Sequence, residues 1–313
     1  MTVQLFTSMP LAVGTWAWGE RKYWGYETDF GARDVVDAFA ASVEAGVDLF
    51  DTAEVYGDGE SEKILGWMMR KSGRALRVAT KFGLLPGRRG ARALRLALER
   101  SLKRLGLPRV DLYQIHWPDR TMATIDELMD ALADVADAGL VSAVGVSNFS
   151  ADETRQAHAR LATRGIALAS NQVRYSLLHR APEVNGTLDV CRELGVTLLA
   201  YSPLEQGLLT GTYGPGRLPA GPRAGHPEFA PGNLERATTV VELCRAIGTK
   251  HGGRTPAQVA LRWLMQQEHV VPIAGAKTGA QATENAGALG WALDAGALDA
   301  LDAASRAWRI AES

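Results

Sequence analysis

Residues 48–83 read DLFDTAEVYGDGESEKILGWMMRKSGRALRVATKFG, and this stretch decides the fold. DLFDTAE (Asp48 to Glu54) is a short apolar segment that ends on polar residues. SEKILGWMMRKSG carries apolar residues at helical spacing, with Gly73 placed where a left-handed residue closes a helix. RVATKFG (Arg77 to Gly83) is a second strand-like run. Strand, helix and strand in this order form one βαβ unit of a parallel sheet.

The same alternation continues in both directions. Upstream lies LAVGTW (Leu11 to Trp16). Downstream lie VDLYQIHW (Val110 to Trp117), VSAVGVSNF (Val141 to Phe149), LASNQVRYS (Leu168 to Ser176), VTLLAYSPL (Val196 to Leu204) and VVPIAGA (Val270 to Ala276). Helical stretches separate them, and Gly46, Gly106, Gly139, Gly165 and Gly195 punctuate their ends as Gly73 does. Ser150 with Glu153 spells a capping box, and Thr255 followed by Pro256 an N-cap with proline at the first helical position. Eight strand and helix pairs in order predict a (β/α)8 TIM barrel, with residues 1–313 as a single domain. The segment Glu205 to Gly232 breaks the rhythm with five prolines and many glycines, and is expected to be a mobile flap. The tail WALDAGALDALDAASRAWRI is expected to add a helix outside the barrel.

Composition narrows the function. The chain has 313 residues, 46% hydrophobic and 22% charged, which excludes disorder and leaves ample core material. A net charge of -1 gives no global attraction to nucleic acid or to an anionic membrane, so any anion site must be local. No run of about 18 apolar residues offers a membrane span. The two cysteines, Cys191 and Cys244, have no metal-ligand spacing and are expected to be buried, reduced thiols of a cytoplasmic enzyme. No metal site is expected.

In a barrel of this kind the working side chains leave the strands at their C-terminal ends and share one mouth. The second strand delivers Asp51 and then Tyr56, the third Lys81, the fourth His116. A phenol is a poor acid at neutral pH, but an adjacent ammonium stabilises its phenolate, and Lys81 is expected to lower the pKa of Tyr56 in this way. Asp51 is the natural counter-charge for Lys81. A neutral His116 can hydrogen-bond a carbonyl oxygen while Tyr56 supplies a proton. The aromatic loop WAWGERKYWGYETDF and the residues after Lys81 and His116 supply a candidate substrate pocket of Trp18, Trp24, Leu84 and Trp117.

The runs GTWAWG, DTAEVYGDGESEKILG, VATKFG, VDLYQIHWPD, VGVSNFS, SNQVRYS, LLAYSPLEQGLLTG and VPIAGAK followed by TENAGAL together resemble the aldo-keto reductase family over nearly the whole chain. The resemblance implies that Tyr56, Lys81, Asp51 and His116 form a catalytic tetrad. It also implies that NADP(H) lies across the barrel mouth and delivers a hydride to an aldehyde or ketone. Ser147, Asn148 and Gln172 then meet the nicotinamide carboxamide, Tyr201 stacks on the ring, and Gly14, Thr15, Trp16 and Asp51 border it. Ser202, Leu204, Gln206, Gly207 and Leu209 take the diphosphate. Ile273 and Gly275 also contact the cofactor, and Lys277, Thr278, Gln281, Glu284 and Asn285 take the adenosine end, with Lys277 on the ribose 2'-phosphate. Gln281 stands where many relatives carry arginine, so the preference for NADPH over NADH is expected to be modest. The partner is a small carbonyl or alcohol, and no glycine fingerprint of a Rossmann unit accompanies the cofactor.

Two other readings use the same residues. A class I aldolase would employ Lys81 as a Schiff base. A nucleotide-sensing regulatory subunit would keep the cofactor site with little turnover.

Overall fold

The computed structural model describes residues 6, 10–83, 85, 88, 90–118 and 123–310. Eight strands close a parallel barrel in sequence order: β1 (Ala12–Gly14), β2 (Leu49–Asp51), β3 (Arg77–Phe82), β4 (Val110–Ile115), β5 (Val141–Ser147), β6 (Leu168–Arg174), β7 (Thr197–Tyr201) and β8 (Val270–Gly275), which pairs back to β1. The strands are shorter than the apolar runs that announced them. Their flanking residues turn out into the loops that carry the site.

Helices follow the strands as the sequence pattern requires. They are α1 (Ala32–Glu44), α2 (Glu60–Ser72), α3 (Gly90–Leu105), α4 (Ile125–Asp137), α5 (Ala151–Ala162) and α6 (Thr187–Leu194), then α7 (Pro231–Lys250) and α8 (Pro256–Met265), then α9 (Gly279–Ala286) and α10 (Ala295–Ser305). Gly73 and Gly195 close α2 and α6 with φ of 63° and 66°, a region an L side chain rarely adopts. Ser150 and Thr255 make the expected capping boxes, each hydroxyl accepting from the backbone N–H three residues on. Such a cap is worth about 1 kcal/mol.

The crossover from β7 to β8 carries two helices. The segment after β7 is not structureless: it forms short 3-10 turns at Glu205–Thr210, Gly221–Gly225 and Pro227–Phe229, and α7 begins at Pro231. Phe229 is buried, and the carboxylates of Glu205 and Glu228 both pair with the Arg174 guanidinium at the end of β6. The expected flap is thus pinned to the barrel in this structure. The expected extra helix is α10, which packs against α7 outside the barrel ring.

The barrel interior explains where the site sits. Ala12, Leu49, Ala79, Leu112, Ala143, Ala169, Leu199, Val271 and Ile273 form a separate inner core with Phe6. Side chains two residues apart on a strand share a face. Two residues beyond Leu49, Ala79 and Leu112 stand Asp51, Lys81 and Gln114, all buried. The inner face therefore changes from apolar to ionised within one layer, at the C-terminal end of the barrel. Register sets these groups side by side, with Gly14 opposite Asp51 and Gly275, Lys81 opposite Gln114, and Ser147 opposite Gln172.

Candidate active site

Lys81 is the hub. Its side chain has no solvent exposure. Its ammonium donates to the Asp51 carboxylate, to the Thr52 carbonyl oxygen at 2.9 Å and to the Tyr56 phenol oxygen at 3.2 Å. Tyr56 reaches it from a 3-10 turn just after β2, Tyr56–Gly59. The second carboxylate oxygen of Asp51 accepts from Gln172 Nε2 at 2.9 Å and from Gln114 Nε2 at 3.4 Å. Burying an ion pair this deeply is tolerable only when the remaining lone pairs are also bonded, and here they are. His116 follows β4, with its ring edge-on to Tyr56 at 5.8 Å between centroids. The four residues are thus brought together on one wall of the barrel mouth.

Electrostatics assign different states to the members. Burial works against the charge of Lys81, but Asp51 and Tyr56 outweigh it and the pKa is raised. The pKa of His116 falls to about 3, through burial first and the Lys81 charge second, so the imidazole is neutral at working pH. Tyr56 differs from expectation. Burial raises its pKa, and the Lys81 ammonium opposes that rise without reversing it. A phenol that keeps its proton until a stronger base appears is what a proton donor requires.

The other strand ends build a cleft beside this wall. Gly14, Trp16, Tyr201, Ser202, Leu204, Gln206, Gly207, Ile273, Gly275, Lys277, Gln281, Glu284 and Asn285, all anticipated from the sequence, line a cavity of about 300 Å3. That is within the range of small-molecule sites. Ser202, Glu205 and Gln206 hold left-handed backbone at φ of 51°, 45° and 52°, which costs about 1–3 kcal/mol each and turns the chain sharply along the cleft wall. Trp24 also lines the cleft. Its buried Nε1 has no hydrogen-bond partner among the described residues.

Several anticipated side chains are engaged elsewhere. Gln172 gives its amide to Asp51, and the Ser147 hydroxyl donates to the Gln172 carbonyl oxygen at 2.8 Å. Asn148 donates to the His116 carbonyl oxygen at 3.0 Å and accepts from the Tyr201 hydroxyl at 3.0 Å, so these polar groups form one braced cluster. Thr15 is buried beneath the site, its hydroxyl bonded to the Asp51 carbonyl oxygen and to Ser61. Leu209 points into the core. Thr278 caps α9.

The pocket aromatics need correction. Trp18 has 0% exposure and donates its indole N–H to the Ala276 carbonyl oxygen, so it is core rather than substrate wall. Trp16 is the tryptophan of this loop that faces the Tyr56 ring, 6.1 Å from it and stacked on Tyr23. Trp117 is 53% exposed and stacked beside His116. Leu84 lies outside the described residues. Trp24 lines the cleft of Tyr201 and Lys277 instead, flanked by Lys277 and by a residue that sequence reasoning missed. This is Arg223, whose guanidinium lies 5.2 Å from the Trp24 ring and donates to the Gln206 carbonyl oxygen at 3.2 Å. Gln114 was also missed, although its period-two offset from Leu112 was a usable signal. Cys191 and Cys244 are free and buried, and burial pushes both thiols up to about 12. Among the described residues no helix is long and apolar enough to cross a membrane, and no His, Cys, Asp and Glu cluster is arranged to hold a metal.

Comparison with known proteins agrees with the barrel fold. The model of the aldo/keto reductase family matches residues 10–306. The chain is 38% identical to the chloroplastic pyridoxal reductase of Arabidopsis thaliana over 91% of this chain and 80% of that protein. It is 31% identical to the NADH-specific methylglyoxal reductase of Escherichia coli over 89% of each. Among solved structures, the glycerol dehydrogenase of Gluconobacter oxydans superposes with a TM-score of 0.82 at 29% identity, covering 97% of this chain and 93% of that one.

Proposed function

The chain belongs to the aldo/keto reductase family, and from that premise we propose that it is an NADPH-dependent reductase of small aldehydes or ketones with Tyr56 as its proton donor. The observation that carries this reading is the single ammonium of Lys81 bonded to both Asp51 and the Tyr56 phenol at the edge of the cleft.

The residues present suit a dinucleotide. The cleft lining combines Tyr201, bonded to Asn148, with the turned backbone from Ser202 to Gly207 and with Lys277, Gln281, Glu284 and Asn285. A reduced nicotinamide coenzyme, when bound, supplies a hydride. The protein supplies the rest. Neutral His116 orients the carbonyl oxygen by hydrogen bonding, and Tyr56 gives that oxygen its proton as negative charge develops there. Lys81 stabilises the phenolate left behind, while Asp51, braced by Gln172 and Gln114, keeps Lys81 charged. Trp16 and Trp117 offer apolar faces to the organic part of the substrate.

A Schiff-base role for Lys81 is disfavoured. A nucleophilic amine needs a lowered pKa and a free lone pair, whereas this one has a raised pKa and three acceptors. We place the enzyme in the cytosol, where Cys191 and Cys244 stay reduced. The functional test is coenzyme oxidation by the purified protein with pyridoxal, methylglyoxal and a panel of aldehydes and ketones, run with NADPH and with NADH, and with glycerol in the oxidising direction. Turnover with NADPH at a kcat/KM above that with NADH supports the assignment. Equal values would defeat the coenzyme preference, and no turnover on any carbonyl would defeat the whole reading.

A further inference from the structure

Lys277, which our reading gives to the ribose 2'-phosphate, is already held by other groups. Its ammonium donates to the Trp24 carbonyl oxygen at 3.1 Å and lies 4.8 Å from the ring centroids of both Trp24 and Phe30. Phe30 is buried at the end of the loop that leads into α1, edge-on to Tyr26. The opening of α9 is likewise occupied by its own side chains. Gln281 Oε1 accepts from the Lys277 backbone N–H at 2.7 Å, and Thr278 Oγ1 accepts from the Gln281 N–H at 3.3 Å. An incoming phosphate therefore meets a cation and a helix start that are both engaged. Arg223, on the same Trp24 ring, adds like charge nearby.

We propose that Phe30 and Trp24 form an aromatic box that holds the Lys277 ammonium in competition with the coenzyme 2'-phosphate, making Phe30 a residue that determines coenzyme choice without touching the coenzyme. The proposal rests on the reading of Lys277 as the 2'-phosphate ligand. A cation between aromatic faces is attracted by their quadrupoles, most strongly when water is excluded. Moving Lys277 onto the phosphate gives up that attraction. NADH has no 2'-phosphate and asks for no such move, so the box lowers affinity for NADPH alone. Burial, first, and the Arg223 charge, second, also lower the pKa of Lys277, to about 8, with Asp29 opposing. That is the direction expected of an ammonium held in an apolar box.

The test is the ratio of dissociation constants for NADPH and NADH, read by quenching of tryptophan fluorescence in the wild type, Phe30→Leu, Phe30→Tyr and Lys277→Met. Leucine keeps most of the volume and removes the quadrupole, and tyrosine keeps both. The proposal expects Phe30→Leu to shift the ratio toward NADPH by at least about threefold, with NADH affinity as the internal control of an intact cleft, and Phe30→Tyr to retain the wild-type ratio. If Phe30→Leu does not fold, Phe30→Met reads the same quantity. An unchanged ratio, or a shift toward NADH, overturns the box, the latter because the rings would then be aiming Lys277 at the phosphate. Lys277→Met separates the two ideas. Loss of NADPH affinity there, with no shift in Phe30→Leu, sinks the box alone, whereas unchanged NADPH affinity in Lys277→Met removes the 2'-phosphate assignment and the proposal with it.

Discussion

Lys81 and Tyr56 share one hydrogen bond of 3.2 Å, and the same ammonium is neutralised by Asp51 on the neighbouring strand. Asp51 and Lys81 thus lie on two strands whose register sets Asp51 opposite Ala79, two residues before Lys81, and Tyr56 reaches the same ammonium from the turn after β2. Lys81→Met leaves the Asp51 carboxylate buried without its ion partner, a change that costs about 3–5 kcal/mol. Urea denaturation is expected to show a loss of that size alongside loss of turnover. An unaltered midpoint would mean that the pair contributes no net stability.

His116 is neutral because burial and the Lys81 charge hold its pKa near 3. A group depressed this far does not titrate in the range where an ordinary histidine does, near pH 6.5. The pH profile of kcat is therefore expected to have no acid limb between about pH 5 and 7. An inflection near 6.5 that disappears in His116→Asn would contradict the neutral assignment.

If Lys277 takes the 2'-phosphate as proposed, its pKa, lowered to about 8 in the free protein, gives NADPH binding a pH dependence of defined sign. A bound 2'-phosphate raises that pKa, so NADPH binding takes up a proton above about pH 8. Arg223 and Asp29 are the charged groups acting on it, the first lowering and the second raising the value. Titration from pH 7 to 9.5 is expected to weaken NADPH relative to NADH, by up to about tenfold per pH unit above 8. Parallel curves for the two coenzymes would rule out a role for the Lys277 charge.

Glu228 ties the segment carrying Arg223 to the barrel by pairing with Arg174, and within the segment it makes a 2.9 Å contact with His226 Nδ1. Glu205 pairs with the same Arg174 and accepts from the Ser176 hydroxyl at 2.7 Å. Glu228→Gln is expected to speed amide hydrogen exchange across residues 221–229 while leaving 205–210 protected by Glu205. Unchanged protection at 221–229 would show that the backbone turns hold the segment unaided.

The meeting of Asp51, Tyr56, Lys81 and His116 was legible because three of them close short apolar runs, Tyr56 follows the first of these in its loop, and a barrel gathers strand ends at one mouth. Period two also pointed inward from Leu49, Ala79 and Leu112, and Gln114 could have been read from it. The aromatic loop was not legible in the same way. Trp16 and Trp18 stand two apart where no regular period operates, and nothing local tells which one the Ala276 carbonyl will capture. Leu209 sits in a run whose neighbours line the cleft, yet its own direction depends on the left-handed turn at Gln206. Arg223 lies among prolines and glycines, and it is tertiary contacts, with the Gln206 carbonyl oxygen and the Tyr213 hydroxyl, that hold it over Trp24. The start of α7 at Pro231 was hidden by the same composition. The expected fall in the pKa of Tyr56 failed because charge was counted without burial.

The proposed role of Tyr56 is to protonate the oxygen as a reduced nicotinamide delivers its hydride to a carbonyl carbon. It is tested most directly with NADPH deuterated at the transferring position of its nicotinamide, incubated with a carbonyl substrate and the wild type or Tyr56→Phe, and read by mass spectrometry of the product alcohol. Deuterium on the carbinol carbon is expected with the wild type. Tyr56→Phe should still bind NADPH but form product at least about 100-fold more slowly, the scale of a positioned general acid. Near-normal turnover in Tyr56→Phe, or an unlabelled product accompanied by a borohydride-trapped adduct on Lys81, would contradict it.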